Sequence, residues 1–169
     1  MTVSTWTEVV ALTSKSRLQL PASARTRLNW SRADSSLSLL ARIEPGGHAE
    51  LMPWEPVGDA IMRSLERLLA EKAGADREWL ALIAMDRYLR LTLDSDGRMS
   101  LPVNLAHHLD AIAREAVRLV IDAGRLLLWS ERVWQDDRSS RLEPVAEKPR
   151  NLEAAAALRG TNVGAQDDA

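Results

Sequence analysis

The sequence predicts an α+β protein made of two tandem strand-rich repeats, joined by a helical hairpin and followed by a C-terminal helix and tail. Three observations carry that expectation. One phrase is written twice, as "LTSKSRLQLP" from Leu12 to Pro21 and as "LDSDGRMSLP" from Leu93 to Pro102, 81 positions later. Around both copies apolar and polar residues alternate with the period of half-buried strands. Between them the apolar residues change to helical spacing.

In the second copy Leu89, Leu91 and Leu93 share one strand face, Arg90 and Thr92 the other, and Met99 and Leu101 resume the pattern after a loop. Asp94, Ser95, Asp96 and Gly97 make up that loop. Such residues bond their own backbone or accept a positive φ, so they favour a tight connection. Pro102 has no N–H to give a ladder and ends the second strand. Leu105, Leu109 and Ile112 then follow at helical spacing, and in the first copy Pro21 likewise precedes a short helical stretch ending near Leu28. Each copy continues with two apolar runs around a turn: Pro45, Gly46 and Gly47 in the first, Asp122, Ala123 and Gly124 in the second. Both second runs reach a tryptophan, Trp54 and Trp129.

The linker places Ile61, Leu65, Leu68 and Leu69 along one stripe of a helix from about Val57 to Lys72. Gly74 is expected to end it, and Asp76 to cap a second helix carrying Trp79, Leu80 and Ile83. Ser130 is placed to cap a last helix through Val133 and Trp134. The expected organisation is therefore a first repeat over 1–55, the helical hairpin over 56–87, a second repeat with its terminal helix over 88–138, and a mobile tail over 139–169, with at most a weak Ala-rich helix near Asn151 to Arg159.

With 169 residues, 46% apolar and 27% charged, the chain has an ordinary globular balance. It has no cysteine, so neither a disulfide framework nor a thiolate metal site can form. No apolar run is long enough to span a bilayer and the first residues do not resemble a secretory signal, so a cytoplasmic location is expected. A net charge of −2 argues against a protein that coats nucleic acid by overall charge. Its distribution is uneven. From Ala11 to Ala33 lie Lys15, Arg17, Arg25, Arg27 and Arg32 with no acidic residue, a local charge of +5. From Thr92 to Arg114, Arg98 and Arg114 face Asp94, Asp96 and Asp110, a local charge of −1.

The Asp-x-x-x-Arg motif "DSDGR" at Asp94 to Arg98, its twin "TSKSR" at Thr13 to Arg17, the proline after each, "LMPWE" and "LLLWSERVW", and the helices between the copies together resemble the MraZ family, tandem SpoVT/AbrB-like transcriptional regulators. The resemblance spans roughly Val9 to Gln135. It implies a β-rich swapped-hairpin barrel in which two copies interlock about a pseudo-twofold, assembly into a ring, and sequence-specific binding of repeated promoter boxes upstream of division and cell-wall genes. A cytoplasmic, nucleoid-associated protein that partners double-stranded DNA and copies of itself is expected, with no cofactor, metal, membrane or small-molecule substrate.

Residue chemistry fits a division of labour between the copies. Asp94 and Arg98 flank a tight loop and are expected to form a bidentate pair that fixes the hairpin. In the first copy Thr13 replaces the aspartate, which leaves Arg17 beside Lys15 for phosphate or a guanine edge. By position Lys15 and Arg17 match the family's DNA-contacting loop and Arg25 a family arginine four places after the proline; Arg27 is added on charge. Thr13 and Ser16 stand where the family has aspartate and glycine.

His107 and His108 are neighbours on a helix, about 100° apart, and His48 lies in another hairpin, so no metal site is expected. The six tryptophans fall at strand ends and on apolar helix faces, which suits core or subunit contacts. No nucleophile elbow, phosphate loop or ligand cluster occurs, so no enzymatic activity is expected. Two other classes are compatible with the sequence: an oligomeric assembly protein that no longer reads DNA, and an antitoxin-like regulator using the tail.

Overall fold

A computed structural model describes residues 5–31, 35–142, 153–154 and 156–158. Its centre is an eight-stranded antiparallel β-barrel with short helices, an α+β fold. The strands are β1 (Thr5–Thr13), β2 (Arg17–Gln19), β3 (Leu37–Glu44), β4 (His48–Pro53), β5 (Tyr88–Leu93), β6 (Arg98–Ser100), β7 (Ala116–Asp122) and β8 (Arg125–Trp129). Around the barrel they run β1-β2-β6-β5-β3-β4-β8-β7 and close.

Leucine and β-branched residues make up about half of the strand positions, and side chains alternate between the two faces, one of which lines the barrel interior. Leu18, Leu39, Ala41, Leu51, Leu93, Met99, Leu119, Ile121, Leu126 and Leu128 are all at most 2% exposed. The chain has no phenylalanine, so these aliphatic side chains fill the small barrel themselves. Helices α1 (Ala22–Arg25), α4 (Val103–His108) and α5 (Ala111–Arg114) add Ala24, Leu105, Ala106 and Ala111 to the same core.

The order of pairing is not the order of sequence. Arg17 lies opposite Ser100, Leu18 opposite Met99 and Gln19 opposite Arg98. β1 runs along β7 and β3 along β5, so each strand before a tip pairs with the opposite half of the chain. Thr5–Val133 form one compact unit, and two-stranded hairpins from the two halves alternate around the barrel, so neither half forms a sheet of more than two adjacent strands by itself.

Turn chemistry sets the registers. Between Asp122 and Arg125, Ala123 (φ +49°) and Gly124 (φ +77°) make the two-residue turn that suits twisted strands. At the β3–β4 turn Gly46 and Gly47 have φ of +95° and +81°. A Cβ on Gly46 meets nothing within 4 Å, whereas one on Gly47 would sit 2.8 Å from Val133 Cγ2. Gly46→Ala is therefore expected to cost about 1 kcal/mol of backbone strain alone. Gly47→Ala adds overpacking against Val133 and is expected to cost about 2–4 kcal/mol. Denaturant titration of the two variants checks the order.

The linker differs in detail from expectation. A kinked turn (Trp54–Gly58), extended at Glu55, leads into α2 (Asp59–Glu71), and α3 runs Gly74–Arg87. Gly74 opens α3 instead of closing α2, because the chain is already extended at Lys72 and Ala73. Asp76 lies inside the first turn of α3, where its charge still complements the helix dipole. The tryptophans are not equivalent: Trp129 ends β8, whereas Trp54 opens the turn beyond β4.

No residue of α2 is buried, although Ile61, Leu65 and Leu68 share one face with Ala60 and Tyr88 along a groove. On α3 Trp79, Leu82 and Met85 are 67%, 61% and 66% exposed. After β8, fully buried Ser130 caps α6 (Glu131–Asp136) through Val133 N, 3.4 Å away. Arg118 holds the helix start with a bidentate bond to Glu131 at 2.6 and 2.9 Å. Trp134 onward forms a separate unit; there Arg141 lies over the Trp134 ring and donates to the Trp134 carbonyl, within and beside α7 (Arg138–Leu142). Most of the tail expected to be mobile lies outside the described residues. Among the described residues no helix is long and apolar enough to cross a membrane.

Candidate nucleic-acid interface

The repeated phrase becomes two hairpin tips, β1–β2 and β5–β6, whose second strands pair with each other. In the acidic tip Asp94 organises the backbone. Its Oδ1 accepts from the N–H groups of Asp96 and Arg98, each at 2.9 Å, and Gly97 at φ +82° allows Gly97 N–H to reach Asp94 O at 3.0 Å. Chiefly the Arg98 N–H, then the Arg98 guanidinium, holds the Asp94 carboxyl below its ordinary range. The expected bidentate pair is not what forms. Arg98 splits its guanidinium, Nε to Asp94 Oδ2 at 3.2 Å and Nη2 to Asp96 Oδ2 at 2.5 Å. The backbone bonds already occupy Asp94 Oδ1, so only one of its oxygens is left for the fork.

The basic tip has no such organiser. Thr13 Oγ1 donates to Arg17 O at a long 3.4 Å, and Lys15 and Ser16 both adopt left-handed φ, +66° and +54°. Lys15 and Arg17 are exposed. Among the described residues neither side chain has a hydrogen bond or an ion pair. Arg17 lines a cleft of about 570 Å³ with Thr92, Asp94, Arg98, Met99 and Ser100. Lys15 lines a second cleft of about 390 Å³ that also includes Thr13, Ile112 and Glu115.

The other two expected contacts are placed differently. Arg25, at the end of α1, is half-buried and donates through Nη2 to Ser95 O at 3.1 Å, across to the acidic tip. Arg27 is exposed in the turn after α1 and has an interaction of its own. The structure thus brings Lys15 and Arg17 together on one tip and sets Arg25 against the other. Gln19, which sequence reasoning missed, donates to Asp96 O at 2.6 Å. An outward residue on a three-residue strand gave no signal of that contact.

Away from the tips an ion-pair layer crosses β3, β4, β8 and α3. Arg42 reaches Glu44 at 2.6 Å and Glu50 at 2.8 Å, Arg87 reaches Glu44 at 3.2 Å, and Arg125 grips Glu50 with two bonds of 2.9 Å. Hydrogen bonding from Arg125 lowers the Glu50 pKa. Burial works to raise that of Glu44, but bonds from Arg42 and Arg87 outweigh it. His48 stacks on Trp129 with ring centres 4.2 Å apart, and His108 Nε2 shares its proton between the carbonyls of Glu44 and His48, at 2.9 and 3.0 Å. The two histidines expected to lie apart therefore meet through backbone. Among the described residues no group of three potential ligands could hold a metal.

This layer predicts acid lability in two stages. Burial pulls the His48 pKa below 6.5, so the unfolded chain takes up the proton first and stability falls as pH drops through that value. Glu44 and Glu50 have folded pKa values below 4.5, and their contribution is lost as pH falls below that value. Thermal midpoints measured between about pH 7 and pH 3 are expected to show both losses, with His48→Gln removing the first.

No protein-family model matches the chain, and no curated protein matches it in sequence.

Proposed function

We propose that the chain is a sequence-specific, DNA-binding transcriptional regulator of the MraZ type, built as a swapped-hairpin barrel from two tandem repeats. One observation carries this reading: Lys15 and Arg17 project from a tip with no anionic partner among the described residues, whereas Arg98 at the corresponding place is held by two carboxylates. An unpaired guanidinium exposed beside an ammonium is suited to phosphate and to guanine edges. A guanidinium already shared by two carboxylates is not. Reciprocal bonds favour the repeat reading: Leu20 N–H reaches Gly97 O at 2.7 Å and Leu101 N–H reaches Ser16 O at 3.0 Å, each pair of equivalents standing 81 positions apart.

A single basic tip binds weakly, and several tips on one particle raise each other's effective concentration. The open apolar faces of α2 and α3 suit that assembly, since exposed Trp79, Leu82 and Met85 would be costly on a monomer. A ring that meets repeated promoter boxes, nucleoid-associated and controlling division or cell-wall genes, is the full form of the proposal. The same apolar hairpin also favours a second reading, an assembly protein that keeps the ring and has lost DNA.

Gel-shift titration with DNA from upstream of the chain's own reading frame, with particle size measured on the same preparation, separates the two. A ring-sized complex that retards the DNA and dissociates steeply with salt is expected. Ring-sized particles that leave the DNA unshifted would favour the second reading.

A further inference from the structure

The two tips are secured differently by the half of the chain opposite each. Both receive one backbone bond, from Leu20 N–H to Gly97 O and from Leu101 N–H to Ser16 O. The acidic tip receives two more from side chains, Gln19 Nε2 to Asp96 O and Arg25 Nη2 to Ser95 O. Moving those donors by the 81-position offset lands on Ser100 and Ala106. A serine hydroxyl is too short to copy the glutamine, and alanine has no donor. Glycine and arginine also go together: a Cβ on Gly97 would come within 3.0 Å of Arg25 Nη1, and the basic tip has Ser16 in that place.

The unsecured tip is also the strained one. Lys15 and Ser16 both hold left-handed φ without being glycine, while the acidic tip uses only Gly97 there. Strained segments with few restraining bonds open at low free energy.

We infer that Gln19 and Arg25 are a lock that holds the acidic tip in one conformation, and that Ser100 and Ala106, by omitting the lock, leave the Lys15/Arg17 tip free to reshape on a phosphodiester backbone. The naming of the partner rests on the proposed function; the lock does not. Arg25 then acts as a positioning residue for the opposite tip and makes no contact with DNA itself.

Amide hydrogen exchange on the full chain tests it. Amides of Lys15 to Arg17 are expected to exchange roughly ten-fold faster than those of Asp96 to Arg98, the effect of about one hydrogen bond. Arg25→Ala and Gln19→Ala should each speed exchange at the acidic tip alone, and the exposed Gln19 variant carries the test should the other fail to fold. Ser100→Gln, which supplies the missing donor toward Lys15 O, should slow exchange at the basic tip and lower DNA affinity roughly three-fold through reduced adaptability. Equal exchange at the two tips of the unmodified chain, or an acidic tip unaffected by both alanine variants, overturns the lock. A chain that binds no DNA while keeping the exchange difference removes the partner and leaves the lock standing.

Discussion

Arg17→Ala is expected to lower affinity for promoter DNA by at least about ten-fold and to flatten its salt dependence, while Arg98→Ala changes affinity by no more than about two- to three-fold. The two arginines occupy matching places in the repeated phrase, so their difference comes from what surrounds them. Arg17 forms no ion pair among the described residues and gives up no intramolecular bond on meeting a phosphate. Arg98 would have to leave Asp94 and Asp96 or bring both carboxylates toward the duplex. Removing one phosphate-binding cation from a bound protomer should lower the salt slope by about 0.9, and a particle engaging several tips multiplies that decrease. Lys15→Ala should act in the same direction with a smaller effect, since an ammonium lacks the planar fork. Anisotropy titrations of the three variants over a range of salt concentrations measure both quantities. Equal losses at Arg17 and Arg98 would contradict the division of labour between the tips.

Those features that depend on neighbours in sequence were legible before the structure. Alternation in "YLRLTL" and "AVRLVID" specifies inward faces, and the Gly46-Gly47 and Ala123-Gly124 pairs specify turns, because both arise within a few residues. The helical hairpin was legible for the same reason, although its joint was misplaced: nothing local distinguishes a glycine that closes α2 from one that opens α3.

What could not be read depends on partners far along the chain. Arg25 has the charge and exposure pattern of a DNA contact in sequence, and only the pairing of β2 with β6 brings the Ser95 carbonyl within its reach. Gln19 is silent for the same reason. The split grip of Arg98 follows from competition for one carboxylate, in which two backbone N–H groups take the oxygen that the second fork arm needed. His108 finds the Glu44 and His48 carbonyls only because α4 packs beside the β3–β4 turn. In each case charge and spacing set what a residue could do, and topology chose among the possibilities.

The interlocked topology has its own consequence for stability. Leu18→Ala is expected to destabilise the chain by about 3 kcal/mol, within a range of about 2–5 for a buried leucine. Leu18 is fully buried, is the single inward residue of β2, and lies opposite Met99 where the two three-residue strands meet. So short a strand has no second inward side chain to compensate for the cavity. Because β2 and β6 are the bridge between β1 and β5, the destabilisation should not stay in one half. One cooperative transition with a lowered midpoint is expected in denaturant, followed equally by probes in either half. By contrast Leu68→Ala, on the open face of α2, should change that midpoint by less than about 0.5 kcal/mol. Two separated transitions in the Leu18 variant would mean that each repeat can hold its own strands without the other, which the exchange of β1 to β7 and β3 to β5 does not permit.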